Sequence, residues 1–351
     1  MLYLIMNSFT SAVNTPANTD NGAANAVVAP ASCDDETDRR IPDSNAGAVF
    51  ALDIGGTKVG WGIVEAGDTY EVTQRGSIPT DAMRGGADVA ARICDLASSL
   101  VASHPQVAGV AVASAGVVDP AAGTIVSATG TMPGWGGTPL GTLLHESTGL
   151  NVRVLNDVHA HGLGEATLGA GRPYRSVLSI AVGTGIGGAF VEDGRVAFGA
   201  RGIAGHVGHI HHHYAPDMVC SCGRKGHIES FCSGSGITAW YDSLRGESDP
   251  AVDGGRALQE LADGGNALAA SCFARSAYAL GEATASLVNC TDPAAVILSG
   301  SMTRSGDIWW DALREGFAAS AMTPVADTPI LVGSLGGDAP LLGAVSFFLH
   351  A

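Results

Sequence analysis

At 351 residues the chain exceeds the usual size of one hydrophobic core, so two domains are expected, and 46% apolar residues are ample to fill them. A formal net charge of −16 with no basic stripe argues against DNA or RNA as a partner, because neutralising phosphates takes clustered Lys and Arg. Forty-nine glycines beside only 15% charged residues suit an α/β protein with many tight strand-to-helix turns better than a helical bundle.

Residues 1–46 are rich in Ala, Asn, Thr, Ser, Asp and Pro without helical or strand periodicity, the composition of a disordered tail. The opening MLYLIM is too short for a signal peptide and no apolar run reaches membrane-spanning length, so a cytoplasmic protein with no membrane partner is expected. Seven cysteines, an odd number with two in one cluster, read as reduced thiols rather than a disulfide framework. AVFALDIGG, Ala48 to Gly56, predicts a buried strand entering a glycine turn. VGWGIVEAGDTYEVTQRGSI predicts a β-meander with a Gly-Asp turn, and a helix follows over residues 86–103. VAGVAVASAG is a further buried strand, and VRVLND, Val152 to Asp157, a short one leading into the helical, glycine-closed AHGLGEATLGAG. SVLSIAVGTGIGGAFVEDGRVA predicts a hairpin-like pair, LQELADGGNALAASCFARSAYALGEATASLVNC two long helices broken at Gly-Gly, AAVILSG a buried strand, and Leu341 to Leu349 a terminal helix. Alternating strands and helices imply an α/β architecture in two lobes; no internal repeat is evident beyond a coarse echo between two glycine-rich turns.

Those turns carry chemistry. DIGGTK places Asp53 at a strand end, Gly55 and Gly56 where backbone can approach a ligand, and Thr57 and Lys58 behind them. Such a turn can offer N–H groups to a phosphate. VGTGIGG supplies Gly183, Thr184 and Gly185, and is not a dinucleotide G-x-G-x-x-G because it leads into a strand. Between the turns lie Asn156 and Asp157, so two phosphate-gripping jaws around a catalytic carboxylate are expected; the plainer reading of Asp157 is a helix N-cap.

The segment 205–232 holds a metal-ligand constellation. Zinc takes about four N or S ligands in a tetrahedron, and His209, Cys220, Cys222 and His227 supply them with Cys-x-Cys as the clip. Cys232 is a rival for the fourth position, and the plainer reading is a solvent-exposed histidine run beside two ordinary thiols. With four positions filled the site reads as structural, holding a loop that presents His206 and Glu229, while the tract His211, His212, His213 reads as surface histidines.

DIGGTK, LNDVHAHGLGE, VGTGIGGAFVEDG, GIAGHVGHI and CSCGRKGHIES, in that order, resemble the ROK family of sugar kinases, repressors and open reading frames, from about Val49 to the C-terminus. The resemblance implies an actin/hexokinase-like (ribonuclease H-like) two-lobed ATPase fold with a zinc-binding loop. It divides the chain into a lobe of residues 47–155 joined by a C-terminal helix at 340–351, and a lobe of residues 156–339 carrying the zinc loop. It implies Asp157 as the base for a sugar 6-hydroxyl, with Asn156, His209 and Glu229 on sugar hydroxyls. Gly55, Gly56, Thr57 and Thr184 would meet the ATP phosphates, Asp53 would lie near Mg²⁺, and Gly300 would meet the nucleotide. A homodimer is the family's usual state.

Most family sugar kinases have Glu where this chain has His206 and Cys where it has His227; the second change leaves a Cys₂His₂ set that still suits zinc. An imidazole donates or accepts where a carboxylate only accepts, so His206 bears on the substrate. GIAGHVGH with VAVASAG is similar to the family's bacterial N-acetylmannosamine kinases, whereas its glucokinases have Glu there and a Pro-Gly-Pro-like turn at Ala115 and Gly116. PGW at Pro133 to Trp135 is similar to the family's sugar-side loop, with Thr131 or Gly130 in place of the usual Asn. ATP-dependent phosphorylation of N-acetylmannosamine is therefore expected, with a glucokinase as the alternative. A sugar-responsive repressor would need a basic winged-helix segment, and the acidic tail has only Arg39 and Arg40. A sugar-binding pseudokinase is disfavoured by the intact Asp157 and DIGGT.

Overall fold

The computed structural model describes residues 47–350 except Asp68. The expected disordered tail at 1–46 lies outside the described residues, as does the Asp of the first predicted Gly-Asp turn.

The described chain builds two five-stranded sheets. In the first, β1 (Ala48–Ile54) pairs antiparallel with β2 (Lys58–Ala66), which pairs antiparallel with β3 (Tyr70–Pro79). After helix α1 (Gly86–Ser103), β4 (Val107–Ser114) adds parallel to the other side of β1. A small hairpin, β5 (Val117–Asp119) with β6 (Thr124–Ser127), and helix α2 (Leu140–Thr148) precede β7 (Asn151–Asn156), parallel to β4. The order is β3-β2-β1-β4-β7. Period-2 alternation explains why β1 is buried on both faces: Phe50, Leu52 and Ile54 pack with Ile93 of α1 and Leu140 and Leu144 of α2, while Val49 and Ala51 face the other side. The exposed β3 carries Glu71, Gln74 and Arg75, polar residues that blunt a sheet edge.

Helix α3 (Asp157–Thr167) then leads into the second sheet, β8 (Ser176–Val182), β9 (Ile186–Glu192) and β10 (Arg195–Val196), an antiparallel series. Beyond the loop at 205–228 come α4 (Glu229–Cys232), α5 (Gly234–Leu244), α6 (Gly255–Asp263) and α7 (Ala267–Thr291), the last two broken by Gly264 and Gly265 as the sequence predicts. β11 (Ala295–Ser299), α8 (Gly306–Ser320), β12 (Ile330–Val332) and α9 (Ala339–His350) complete the chain. The second order, β10-β9-β8-β11-β12, repeats the first: three antiparallel strands, then two parallel ones. The coarse echo between the glycine turns is thus the trace of a topological duplication. Leu178, Ile180 and Val182 of β8 pack with Phe273, Ala277 and Leu280 of α7 in the largest apolar cluster. The α/β class expected from the sequence is observed, with α8 as a long helix that the sequence reading did not anticipate. No described helix is long and apolar enough to cross a membrane.

Helix α9 covers the rear face of the first sheet, where Leu341, Leu342 and Val345 join Val49, Ala51, Ala111 and Leu155. Helix α3 covers the second sheet through Leu163 and Ala166. The two helices also pack on each other at backbone distance: a Cβ on Gly343 would overlap the Ala160 carbonyl, and one on Gly164 the Ala339 carbonyl. On its other side, a Cβ on Gly162 would stand 2.6 Å from that of Ala189. A mid-helix glycine costs roughly 1 kcal/mol against alanine, so these positions are occupied for close approach. The buried Glu165 carboxylate fastens the chain just before α9, accepting from the Ser334 and Leu335 N–H groups at 2.9 Å each.

Gly343→Ala is expected to lower unfolding stability by about 3 kcal/mol through overpacking. Gly337→Ala, where an added Cβ meets nothing within 4 Å, should stay within about 0.5 kcal/mol of the parent in urea titrations.

Candidate functional site

The parallel strands of the first sheet end together, and their C-terminal edge is where an open α/β sheet forms its ligand crevice. Asp53 lies near the end of β1, paired with Ala113, and Asn156 ends β7, paired with Ser114. The sequence places Asp157 at a strand end with N-capping as its plain alternative; instead, Asp157 is the first residue of α3 and Asn156 is the cap. Asn156 Oδ1 accepts from the Val158 and His159 N–H groups at 3.1 and 3.2 Å. Its amide donates to Gly116 O and to Asp157 Oδ1, both at 2.8 Å. The cap therefore orients the Asp157 carboxyl, whose Oδ1 also accepts from the Val158 N–H at 2.9 Å.

Burial pushes the Asp157 carboxyl above the usual carboxylate range, against the hydrogen bonds from Val158 and Asn156. Asp53 is pushed up to about 6, first by burial and then by the Asp157 charge, with the Lys58 ammonium opposing both. The Asp157 charge thus reaches Asp53, and both carboxyls are raised chiefly by burial. The turn after Asp53 is tightly held: the Gly55 N–H donates to Lys58 O at 3.0 Å, and the buried Thr80 hydroxyl donates to Gly55 O at 2.6 Å. Loop 129–135 lies beside Gly56, pinned by Trp135, whose indole N–H reaches Ser114 Oγ and Ala115 O at 3.2 Å.

The second glycine turn occupies the matching edge of the second sheet. Gly183, Thr184 and Gly185 join β8 to β9, and Gly300 follows β11 with φ of 93°, a left-handed conformation that glycine adopts freely. A Cβ on Gly300 would overlap the Val182 carbonyl, so the two turns abut. The turn is tied to α5, because Gly234 N–H donates to Gly183 O at 2.7 Å and the Ser235 hydroxyl to Thr184 O at 2.6 Å.

The loop at 205–228 brings the remaining predicted residues together. His206, His209 and His227 form a file of rings, with centroids 6.2 and 5.3 Å apart in succession. At its far end, the ligand atoms of His209, Cys220, Cys222 and His227 lie within 4.8 Å of one another. Cys220 Sγ is 3.4 Å from His209 Nδ1 and Cys222 Sγ is 3.3 Å from His227 Nδ1. Those separations match neighbouring ligands on one tetrahedral zinc. The rival Cys232 points elsewhere, donating to Ser276 O at 3.0 Å from a fully buried position, so the alternative fourth ligand is set aside. At the near end, His206 is pushed down to about 4, by burial first and then by His159 and His209, and its buried Nδ1 has no hydrogen-bond partner. It is a neutral imidazole with an unused polar atom.

Glu229 opens α4 against the second glycine turn, where a Cβ on Gly185 would stand 2.7 Å from its Oε2. Burial raises its carboxyl, but the Ser221 hydroxyl at 2.5 Å, the Ile186 N–H at 3.0 Å and, while its thiol is protonated, Cys220 at 3.2 Å hold it below the usual range. Sequence reasoning missed Ser221, Thr80 and Ser235. Ser221 was discoverable, since it stands between the two cysteines of the clip; the others are visible only once distant segments meet.

The chain matches the ROK family over residues 49–351. It is 30% identical over 305 residues to a glucokinase of Halalkalibacterium halodurans, covering 83% of this chain and 92% of that one. It is 27% identical over 300 residues to an N-acetyl-D-glucosamine kinase of Vibrio cholerae, covering 82% and 95%. Its fold superposes with a TM-score of 0.72 on the crystal structure of a Streptomyces griseus ROK family glucokinase in complex with glucose and AMPPNP, at 26% identity over 86% of this chain and 99% of that one.

Carboxyl ¹³C NMR titration should find Asp53 titrating near pH 6. Lys58→Met removes the charge that favours its ionised form, so the midpoint should rise; a midpoint unchanged or lowered would contradict the described crevice.

Proposed function

The chain belongs to the ROK family and is an ATP-dependent sugar kinase, and from that premise we propose that it phosphorylates the 6-hydroxyl of an N-acylhexosamine, N-acetylmannosamine foremost. The observation that carries this choice is His206. A carboxylate there could only accept hydrogen bonds, whereas a neutral imidazole with an unpartnered Nδ1 can complement an amide that both donates and accepts. A glucokinase is the second reading, favoured by the 30% identity with the Halalkalibacterium halodurans enzyme.

Phosphoryl transfer depends on positioning and charge stabilisation more than on covalent help from the protein. In this reading Asp157 accepts the proton of the sugar hydroxyl as it attacks, and its raised pKa makes it a stronger base than an ordinary surface carboxylate. Asn156, His206, His209 and Glu229 orient the sugar. The glycine turns at Gly55, Gly56, Thr57 and Lys58 and at Gly183, Thr184, Gly185 and Gly300 cradle ATP from the two sheets. The Asp53 crevice, with two carboxyls raised by burial, fits Mg²⁺, which when bound would neutralise phosphate charge. Residues 47–155 with α9, and residues 156–339, are proposed to close as two lobes. The Cys₂His₂ cluster is proposed to hold structural zinc and thereby the loop that delivers His206 and Glu229. A cytoplasmic homodimer belongs to the same proposal.

A coupled ADP-release assay over N-acetylmannosamine, N-acetylglucosamine, mannose and glucose tests the reaction. N-acetylmannosamine should turn over best, Asp157→Asn should lower kcat by roughly 10²- to 10⁴-fold, and His206→Glu should shift preference toward glucose. Preference for glucose in the parent would establish the second reading, and silence on all four sugars would sink both.

Cys222→Ser should remove one zinc per chain, counted by mass spectrometry of the purified protein. Sugar KM should rise while ATP KM changes little; equal changes in both would separate the loop from sugar binding.

A further inference from the structure

Histidines 212 and 213, read from the sequence as ordinary surface residues, meet a partner from another element. His212 is buried, 8% exposed, while His213 is exposed, and both face Glu282 on the long helix α7. One ligand atom of each of the three lies within 4.8 Å of the others. His212 Nε2 stands 3.7 Å from Glu282 Oε2. That is too long for a hydrogen bond, whose N···O distance runs about 2.7–3.2 Å. It is close to the separation of two ligands on one ion, since N and O bonds of about 2.0–2.2 Å to zinc set tetrahedral neighbours near 3.4 Å apart. Glu282 Oε2 is shut off from solvent and has no hydrogen-bond partner. A buried carboxylate oxygen with no donor is unfavourable, and a cation is the group that satisfies it.

We propose that His212, His213 and Glu282 form a second metal site, separate from the Cys₂His₂ cluster, that takes a borderline divalent transition-metal ion such as Zn²⁺. The donor chemistry selects the class. Two imidazoles and one carboxylate suit zinc, cobalt or nickel, and the set offers too few oxygens for Mg²⁺ or Ca²⁺. Three protein donors leave a fourth position for water. Ligation through His212 Nε2 needs the ring proton on Nδ1, so it would replace the long 3.4 Å contact that the Tyr214 N–H makes there. The ion has a mechanical consequence. The backbone N–H of His212 donates to Gly226 O at 2.9 Å, so this tract is already part of the loop carrying the first cluster. Binding Glu282 through a metal staples that loop to α7, the helix at the centre of the second core.

The test is metal stoichiometry on the full-length protein equilibrated with Zn²⁺ and freed of excess, with Co²⁺ absorption as a second probe. The parent should hold two ions per chain, and His213→Ala with Glu282→Gln should each remove one while leaving the thiolate-to-cobalt absorption unchanged. Cys222→Ser should remove the other ion and abolish that absorption. One ion in the parent, lost in Cys222→Ser and kept in His213→Ala and Glu282→Gln, would overturn the second site and leave the first. One ion lost in His213→Ala and Glu282→Gln but kept in Cys222→Ser would support this site and overturn the cysteine cluster. A parent with two ions, both retained in His213→Ala and Glu282→Gln, also overturns the proposal.

Discussion

The structure depends on the close packing of helix α3. Its residues touch α9 on one side and the second sheet on the other at distances that admit no side chain, with Gly343 against the Ala160 carbonyl, Gly164 against that of Ala339 and Gly162 against Ala189. Overlap with a carbonyl is not relieved by turning a rotamer, so the contact fixes where α3 lies to within a few tenths of an ångström. Asp157 is the first residue of that helix, and its position is set from behind by glycines it never touches. The Glu165 carboxylate adds a second constraint by holding the chain that enters α9.

From that fixed point the polar groups divide their work. Asn156 satisfies the free N–H groups at the start of α3 and turns its amide on Asp157, so one side chain caps the helix and orients the carboxyl. The two sheets present equivalent glycine turns because they are built alike, each from three antiparallel strands and two parallel ones.

The loop at 205–228 works through a different physical device. Its backbone makes the isolated bridges His211 to His227 and Val219 to Lys225, one 3-10 turn at Val207–His209 and a set of turn hydrogen bonds. Side-chain contacts add to those backbone bonds. His209, Cys220, Cys222 and His227 come together from four points of the loop, and Ser221, set between the two cysteines, donates to Glu229. His206 stands at the other end of the histidine file, its ring held neutral by burial and by its neighbours His159 and His209.

Much was legible in the chain itself. Period-2 and helical patterns announced β1, β4, β11, α1 and the α6–α7 pair, because burial on a strand or helix face leaves a local signature. The glycine turns and the His209, Cys220, Cys222, His227 set were readable for the same reason, since φ freedom and metal ligation are properties of residue types at short spacing. Other features needed the fold. Asp157 and Asn156 both fit an N-cap by residue type, and only the backbone geometry assigned that role to Asn156. Cys232 stood as a rival to His227 for the fourth metal position, and the structure turns its thiol toward Ser276 O instead. Gly162, Gly164 and Gly343 look like weak helix formers in sequence, and their purpose lies in atoms of residues far along the chain, as Gly343 meets the Ala160 carbonyl. The encounter of His212 with Glu282 is of the same kind. Local chemistry and periodicity are written along the chain, whereas the meeting of distant side chains is decided by how two sheets and their helices pack, which no short window of sequence contains.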